Sequence, residues 1–286
     1  MSNLKEIRSR ISSISSTMKI TSAMKMVSAA KLKKSQDRMQ NIKPYSIALQ
    51  HSIQNLLPNV NSAEIKLLST FCLDDKKLIV AISSNRGLCG GFNANVFKKG
   101  KSLSSNNSEI FCVGKKSSEQ FNRNNYNIVR NEVEILDNPT PFAAKEISQT
   151  IINQFLEGRW SEVILVYNKF KNAATQIPTA EKILPISIDE TINEDSGASK
   201  DYIFEPGKAV IINSLIPQQV HTQVFEAILN SIASEHGARM TAMHKATDNA
   251  QELRQGLKLT YNRQRQAAIT NEILEIVAGA EALKNS

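Results

Sequence analysis

Near the N-terminus apolar residues recur at alternating steps of three and four: Leu4, Ile7, Ile11, Ile14, Met18 and then Thr21. That spacing keeps one stripe of a helix turned toward a partner, as in a coiled-coil seam. The stripe continues less cleanly through Met24, Val27, Ala30 and Leu32 to Met39 and Ile42, and Ile47, Leu49, Ile53 and Leu56 resume it after Pro44. The pattern predicts a first helix over residues 3–57, with Asn3 and Glu6 as a capping box and a kink at Pro44. A second helical pattern fills residues 209–283, broken only by Pro217, Gly237, Gly256 and Gly279. At 1.5 Å per residue it predicts a rod of ~110 Å. A globular domain of this chain's size spans only about 40–50 Å, so a coiled coil is the expected form.

Between the helices the pattern shortens. Residues 77–83 and 162–168 are continuous apolar runs, expected of strands buried on both faces. Residues 109–114 and 127–133 read as further strands, 175–188 as an edge strand broken by Pro178 and Pro185, and 141–157 has helical period. The expected loops are 58–63 and 193–200. Strands alternating with helices predict an α/β domain with a largely parallel, Rossmann-like sheet. The fold expected is therefore a long antiparallel coiled coil of N- and C-terminal helices (1–57 and 209–286) with an α/β base inserted at 58–208.

The seams are rich in small residues, among them Ser12, Thr21, Ala23, Ser28 and Ala29, then Ala233, Ala238, Thr241, Ala242, Ala246 and Ala250. Small residues permit close approach but bury less apolar area, at roughly 25 cal/mol per Å². Such a pair is slender and weakly held. The charge is also uneven. Residues 1–45 carry ten basic groups against Glu6 and Asp37, which accounts for the whole net charge of +8. A basic arm suits an acidic partner surface, nucleic acid or anionic lipid. No run approaches 18 apolar residues, and the N-terminus has neither a signal core nor a cleavage site. Cys72, Cys89 and Cys112 lack metal or redox spacing, which favours a reducing compartment.

Candidate chemistry is sparse. The turn Ser84-Asn-Arg-Gly-Leu-Cys-Gly-Gly-Phe92 follows a buried strand, where doubly wound folds hold phosphates. Its glycines match neither the dinucleotide nor the P-loop spacing, so a tight packing turn is the simpler reading and a nucleotide site the other. His51, His221, His236 and His244 have no metal-ligand spacing, and no nucleophile–base set is marked by motif. No cofactor or metal is expected, and the chain reads as non-catalytic by itself.

Four stretches carry a resemblance: 4–27, the turn 83–92, Ser234-Glu-His-Gly-Ala-Arg-Met-Thr-Ala-Met-His-Lys-Ala-Thr-Asp-Asn249, and Ile269-Thr-Asn-Glu-Ile-Leu-Glu-Ile-Val-Ala-Gly-Ala-Glu-Ala282. In this order they resemble the signatures of the gamma subunits of F-type ATP synthases, and they span the chain. The resemblance implies a central shaft inside an alpha3-beta3 hexamer. Its base would stand with the epsilon subunit on the c-subunit ring, at the cytoplasmic face of a bacterial inner membrane. Ion flow would turn ring and shaft, driving the catalytic beta subunits through their states. It implies that Lys19, Met24 and Lys25 meet the beta lever, that Arg265, Gln266 and Thr270 form a catch with a beta loop, and that Arg239 is a further polar contact. No nucleic acid is implied. The alternatives from other classes are a nucleotide-binding α/β enzyme with a helical dimerisation arm and a basic coiled coil that binds nucleic acid; the first arm lacks the aromatic or arginine base readers the latter needs.

Overall fold

The computed structural model describes residues 2–56, 65–68, 76–105, 107–186, 205 and 207–284. The expected loops at 58–63 and 193–200 lie outside them. Two helices dominate, α1 (Ser2–Leu56) and α5 (Lys208–Lys284). The chain divides into two compact units, Met1–Ser28 with Met240–Ser286, and Ala29–Arg239. The boundaries expected at 57/58 and 208/209 mark changes of secondary structure, whereas the compact units divide within both helices. Among the described residues no helix is long and apolar enough to cross a membrane.

In unit Ala29–Arg239 the elements run β1 (Lys77–Ile82), α2 (Phe92–Leu103), β2 (Glu109–Val113), α3 (Lys115–Arg123), β3 (Ile128–Glu132), α4 (Pro141–Leu156), β4 (Glu162–Phe170) and β5 (Gln176–Leu184). The sheet order is β3-β2-β1-β4-β5; β5 alone is antiparallel, pairing with β4. Because side chains alternate across a strand, Leu78, Val80, Ile82, Val163 and Leu165 face one layer while Ile79, Ala81, Ile164 and Val166 face the other. The first layer packs on α4, on Leu49, Ile53 and Leu56 of α1, and on α5 from Ile212 to Ile232. The second packs on α2 and α3 through Val96 and Phe121. Helix α4 starts where Thr140 accepts a hydrogen bond from Ala143 N at 3.2 Å, with Pro141 in the first turn. An N-terminal proline gives up no bond the helix needs.

Two expectations for α1 are corrected. Asn3 is not the cap, since the helix already runs from Ser2, and Glu6 pairs with Arg10 at 2.7 Å instead. The seam after Thr21 does not follow Met24, Val27 and Ala30, because Val27 is 57% exposed and Ala30 is exposed too. A shielded series runs through Lys25, Ser28, Leu32, Ser35, Met39, Ile42, Ser46, Leu49, Ile53 and Leu56, with Met24 half-buried beside it. The series keeps the alternating three-and-four step to the helix end. Helix α1 is continuous through Pro44.

In the other unit, α1 and α5 pair as an antiparallel coiled coil. A shielded series runs through Leu4, Ile7, Ile11, Ile14, Met18 and Thr21 on α1, and another through Met243, Thr247, Ala250, Arg254, Leu257, Tyr261, Gln264 and Ala268 on α5. Both series keep heptad spacing. Thr21 Oγ1 and Thr247 Oγ1 share a hydrogen bond at 2.8 Å across the pair, and each hydroxyl also lies within reach of a carbonyl of its own helix, Met18 O (3.2 Å) and Met243 O (2.8 Å). From Ile269 to Glu281 every residue of α5 is exposed.

Candidate functional site

The order β3-β2-β1-β4-β5 reverses direction between β1 and β4, and doubly wound folds take ligands in the crevice at the carboxyl ends of such strands. In this chain α5 lies across that crevice. Ser231 Oγ donates to Ile82 O at the end of β1 (3.3 Å), and Asn230 Oδ1 accepts from Phe170 N at the end of β4 (3.5 Å). Gly237 makes the approach possible. A Cβ there would stand 3.2 Å from Ala173 Cα and 3.4 Å from the Phe170 ring.

The glycine-rich turn closes over the same helix. Arg239 Nη2 donates to the carbonyls of Arg86 (3.0 Å) and Gly87 (3.1 Å), and Nε donates to Gly87 O at 3.3 Å. Its Nη1 pairs with Glu235 at 2.6 Å, one helical turn back. The two side chains are only 9% and 11% exposed, so solvent screens the pair little. Beneath them Cys89, Phe92 and Ala238 form a small apolar cluster. Asn93 ties the turn from inside, accepting from Ser84 N at 3.0 Å and donating to Ser84 Oγ at 2.9 Å. Gly90 supplies the left-handed φ of +60° that the turn requires. The turn thus offers the carbonyls of Arg86 and Gly87 to the chain's own cation, Arg239. Nearby N–H groups are also engaged: Lys116 N on Ser84 O and Ser117 N on Ser83 Oγ.

Burial governs the electrostatics. It raises the Glu235 carboxyl above its ordinary range, and Arg239 beside it opposes the rise. It pushes the Cys89 thiol up as well. His236 is pushed down to about 4, first by burial and then by Arg239 and Lys31. Cys112 is pushed up to about 12 by burial.

Arg239, expected as a polar contact on the shaft, has its guanidinium on the chain's own turn and on Glu235, held by four hydrogen bonds. The other expected site residues lie in the coiled-coil unit. Lys19 is exposed, and Met24 and Lys25 are half-buried. Arg265, Gln266 and Thr270 are exposed within one and a half turns of α5. Sequence reasoning missed Glu235, Asn230 and Ser231, although the four-residue step from Glu235 to Arg239 was the available signal for an ion pair. Among the described residues no group of His, Cys, Asp and Glu could hold a metal ion.

A family model described as ATP synthase matches residues 3–283, and the chain belongs to that family. Its relatives there are gamma chains. The gamma chain of Flavobacterium psychrophilum is 50% identical over 99% of this chain and 100% of its own length. That of Chlorobium phaeobacteroides is 41% identical over 99% of both. Among solved structures, a chain of the central stalk and c-ring of Tetrahymena thermophila mitochondrial ATP synthase is 25% identical. It superposes with a TM-score of 0.61 over 79% of this chain and 99% of its own. A chain of the Euglena gracilis mitochondrial ATP synthase shares the fold, with TM-score 0.71 and 20% identity over 99% of this chain and 95% of its own. The chain is accordingly a non-catalytic, central-stalk component of a membrane-associated ATP synthase complex.

Proposed function

We propose that this chain is the turning shaft that couples ion flow to ATP synthesis. Residues 1–57 and 209–286 form the shaft, turning inside an alpha3-beta3 hexamer, and 58–208 form the base. The base stands with an epsilon subunit on a c-subunit ring at the cytoplasmic face of the bacterial inner membrane. Rotation of the asymmetric shaft drives the catalytic sites of the beta subunits through successive states, and ATP hydrolysis turns it backwards.

The observation that carries this reading is the coiled-coil unit itself. Its α5 seam mixes small residues such as Thr247, Ala250 and Ala268 with the polar Arg254, Tyr261 and Gln264, and α5 continues past Ala268 with every residue from Ile269 to Glu281 exposed. A rod of that kind is stabilised when a surrounding partner covers it. Lys19, Met24 and Lys25 serve as the lever contact, through screened contacts of about 0–1 kcal/mol each that can be made and broken at every step. Arg265, Gln266 and Thr270 serve as the catch, where removal of the hydrogen-bonding groups lowers coupling. Arg239 acts from inside, holding the turn on the helix.

Co-expression with the cognate alpha and beta subunits tests the reading. A stable complex is expected, with ATPase activity that falls when the chain is truncated after Gln264. Failure to form a complex, or activity indifferent to the truncation, overturns it. Equilibrium dialysis of the isolated chain against ATP and NAD separates the nucleotide-enzyme alternative, which requires stoichiometric binding.

A further inference from the structure

A groove of about 470 Å³ opens on unit Ala29–Arg239, between α1 and the turn that leads into α4. Ile42, Phe225, Pro139 and Pro141 supply its apolar walls, and Arg38 and Asn41 stand among its polar lining. Two aromatic side chains lie exposed at this place, Tyr45 in the lining (52%) and Phe142 just past the second proline (70%). Prolines fix their own backbone and Thr140 caps α4, so this wall is rigid before anything binds. A preformed wall lowers the ordering cost of association.

Arg38 sets the chemistry of the occupant. Among the described residues its one hydrogen bond is a long one, from Nη1 to Pro139 O at 3.4 Å, and it forms no ion pair there. A planar guanidinium at the edge of an apolar groove is matched by a carboxylate, which it can hold through two parallel N–H bonds. Asn41 adds an amide able to bond a peptide backbone. We propose that this groove docks an acidic peptide segment of another subunit. One Asp or Glu pairs with Arg38, and a neighbouring bulky apolar side chain seats on Ile42 and Phe225. The proposal rests on the chain working within a multi-subunit assembly.

The test uses the assembled complex, with a photo-crosslinking benzoylphenylalanine replacing Tyr45 and, separately, Asn41. Crosslinks are expected to one other subunit, mapping by mass spectrometry to a segment that carries an acidic residue beside a bulky apolar one. Arg38→Glu should weaken binding of that subunit at least tenfold, and charge reversal of the mapped acidic residue to Lys should restore most of the loss. Asn41→Trp, which fills the groove from an exposed helix position, should weaken it independently. Thermal unfolding of both variants should match the parent chain. An active complex with no crosslink, with crosslinks only to lipid or a second copy of this chain, or with Arg38→Glu binding unchanged overturns the groove proposal and leaves the shaft reading standing. Failure of the unsubstituted chain to assemble overturns both.

Discussion

Replacing Arg239 by Met keeps the length of the side chain and removes every donor that holds the 84–92 turn to α5. Both partners of the Glu235 pair are about nine-tenths buried, so the loss falls in the range for breaking one side of a buried pair, roughly 3–5 kcal/mol. Burial already raises the Glu235 carboxyl, so it can take up a proton rather than stay charged and alone, which favours the lower end, about 3 kcal/mol. Replacing both residues, Glu235→Gln with Arg239→Met, leaves no buried charge and should cost about 1–2 kcal/mol less than the sum of the two single changes. Because the chain has two units, one unfolding curve need not be two-state. Native-state hydrogen exchange of the amides of Ile82 and of residues 92–96 reads the local loss directly. Arg239 is also the second cause of the low His236 pKa, so the same variant should raise that value in an NMR titration. A loss below about 1 kcal/mol, or strictly additive effects, would refute the clamp.

Three further outcomes are expected. His236 titrates at about 4 in the folded chain against an ordinary 6.5, so its contribution is fully present above pH 6.5 and is lost as pH falls through about 4. That contribution is up to about 3 kcal/mol, and melting of His236→Gln across this window should lack the corresponding slope. Glu109 is opposed by its own burial, but hydrogen bonds from Lys76 (2.9 Å), Trp160 Nε1 (2.8 Å) and Arg159 (3.0 Å) outweigh it and hold the carboxyl below its ordinary range. Its stabilisation is therefore present above the unfolded pKa and lost as pH falls through the folded one. Glu109→Gln should cost about 2–3 kcal/mol near neutrality, read in urea by the fluorescence of Trp160, the only tryptophan. Gly256 has nothing within 4 Å of an added Cβ; Gly256→Ala should stabilise that part of α5 by ~1 kcal/mol, seen as slower exchange at residues 252–260.

The parts of the fold that could be read from the sequence are those where burial and residue type coincide. The runs at 77–83 and 162–168 are buried strands because apolar side chains fill both faces. Polar Ser83 and Asn168 end these runs yet are buried, and Asn168 donates to Phe92 O at 3.0 Å. The α1 seam was lost after Thr21 for a definite reason. Ser35 occupies a seam position while its hydroxyl bonds back to Lys31 O (3.0 Å) of the same helix, as the hydroxyl of Ser28, already read as a small seam residue, bonds to Met24 O (2.7 Å). A serine satisfied in this way can be buried, but in the sequence it counts as polar. Helix α3 escaped notice similarly, since Ser117 and Phe121 are the only buried side chains on nine residues. Arg239 is the opposite case. A charged residue on a long helix reads as exposed, and only the fold brings the carbonyls of Arg86 and Gly87 to it.

The crevice filled by α5 has a consequence for what the base can sense. A dissociable ligand stabilises its site by mass action, so occupancy rises and falls with its concentration. Here the occupant is joined to the site by the chain itself and has no off-rate into solvent. Its effective concentration is set by covalent connection rather than by metabolism. In the base, residues of α5 hold the strand ends where a doubly wound fold takes its ligand, so this contact is a part of the chain's own folding rather than of its chemistry.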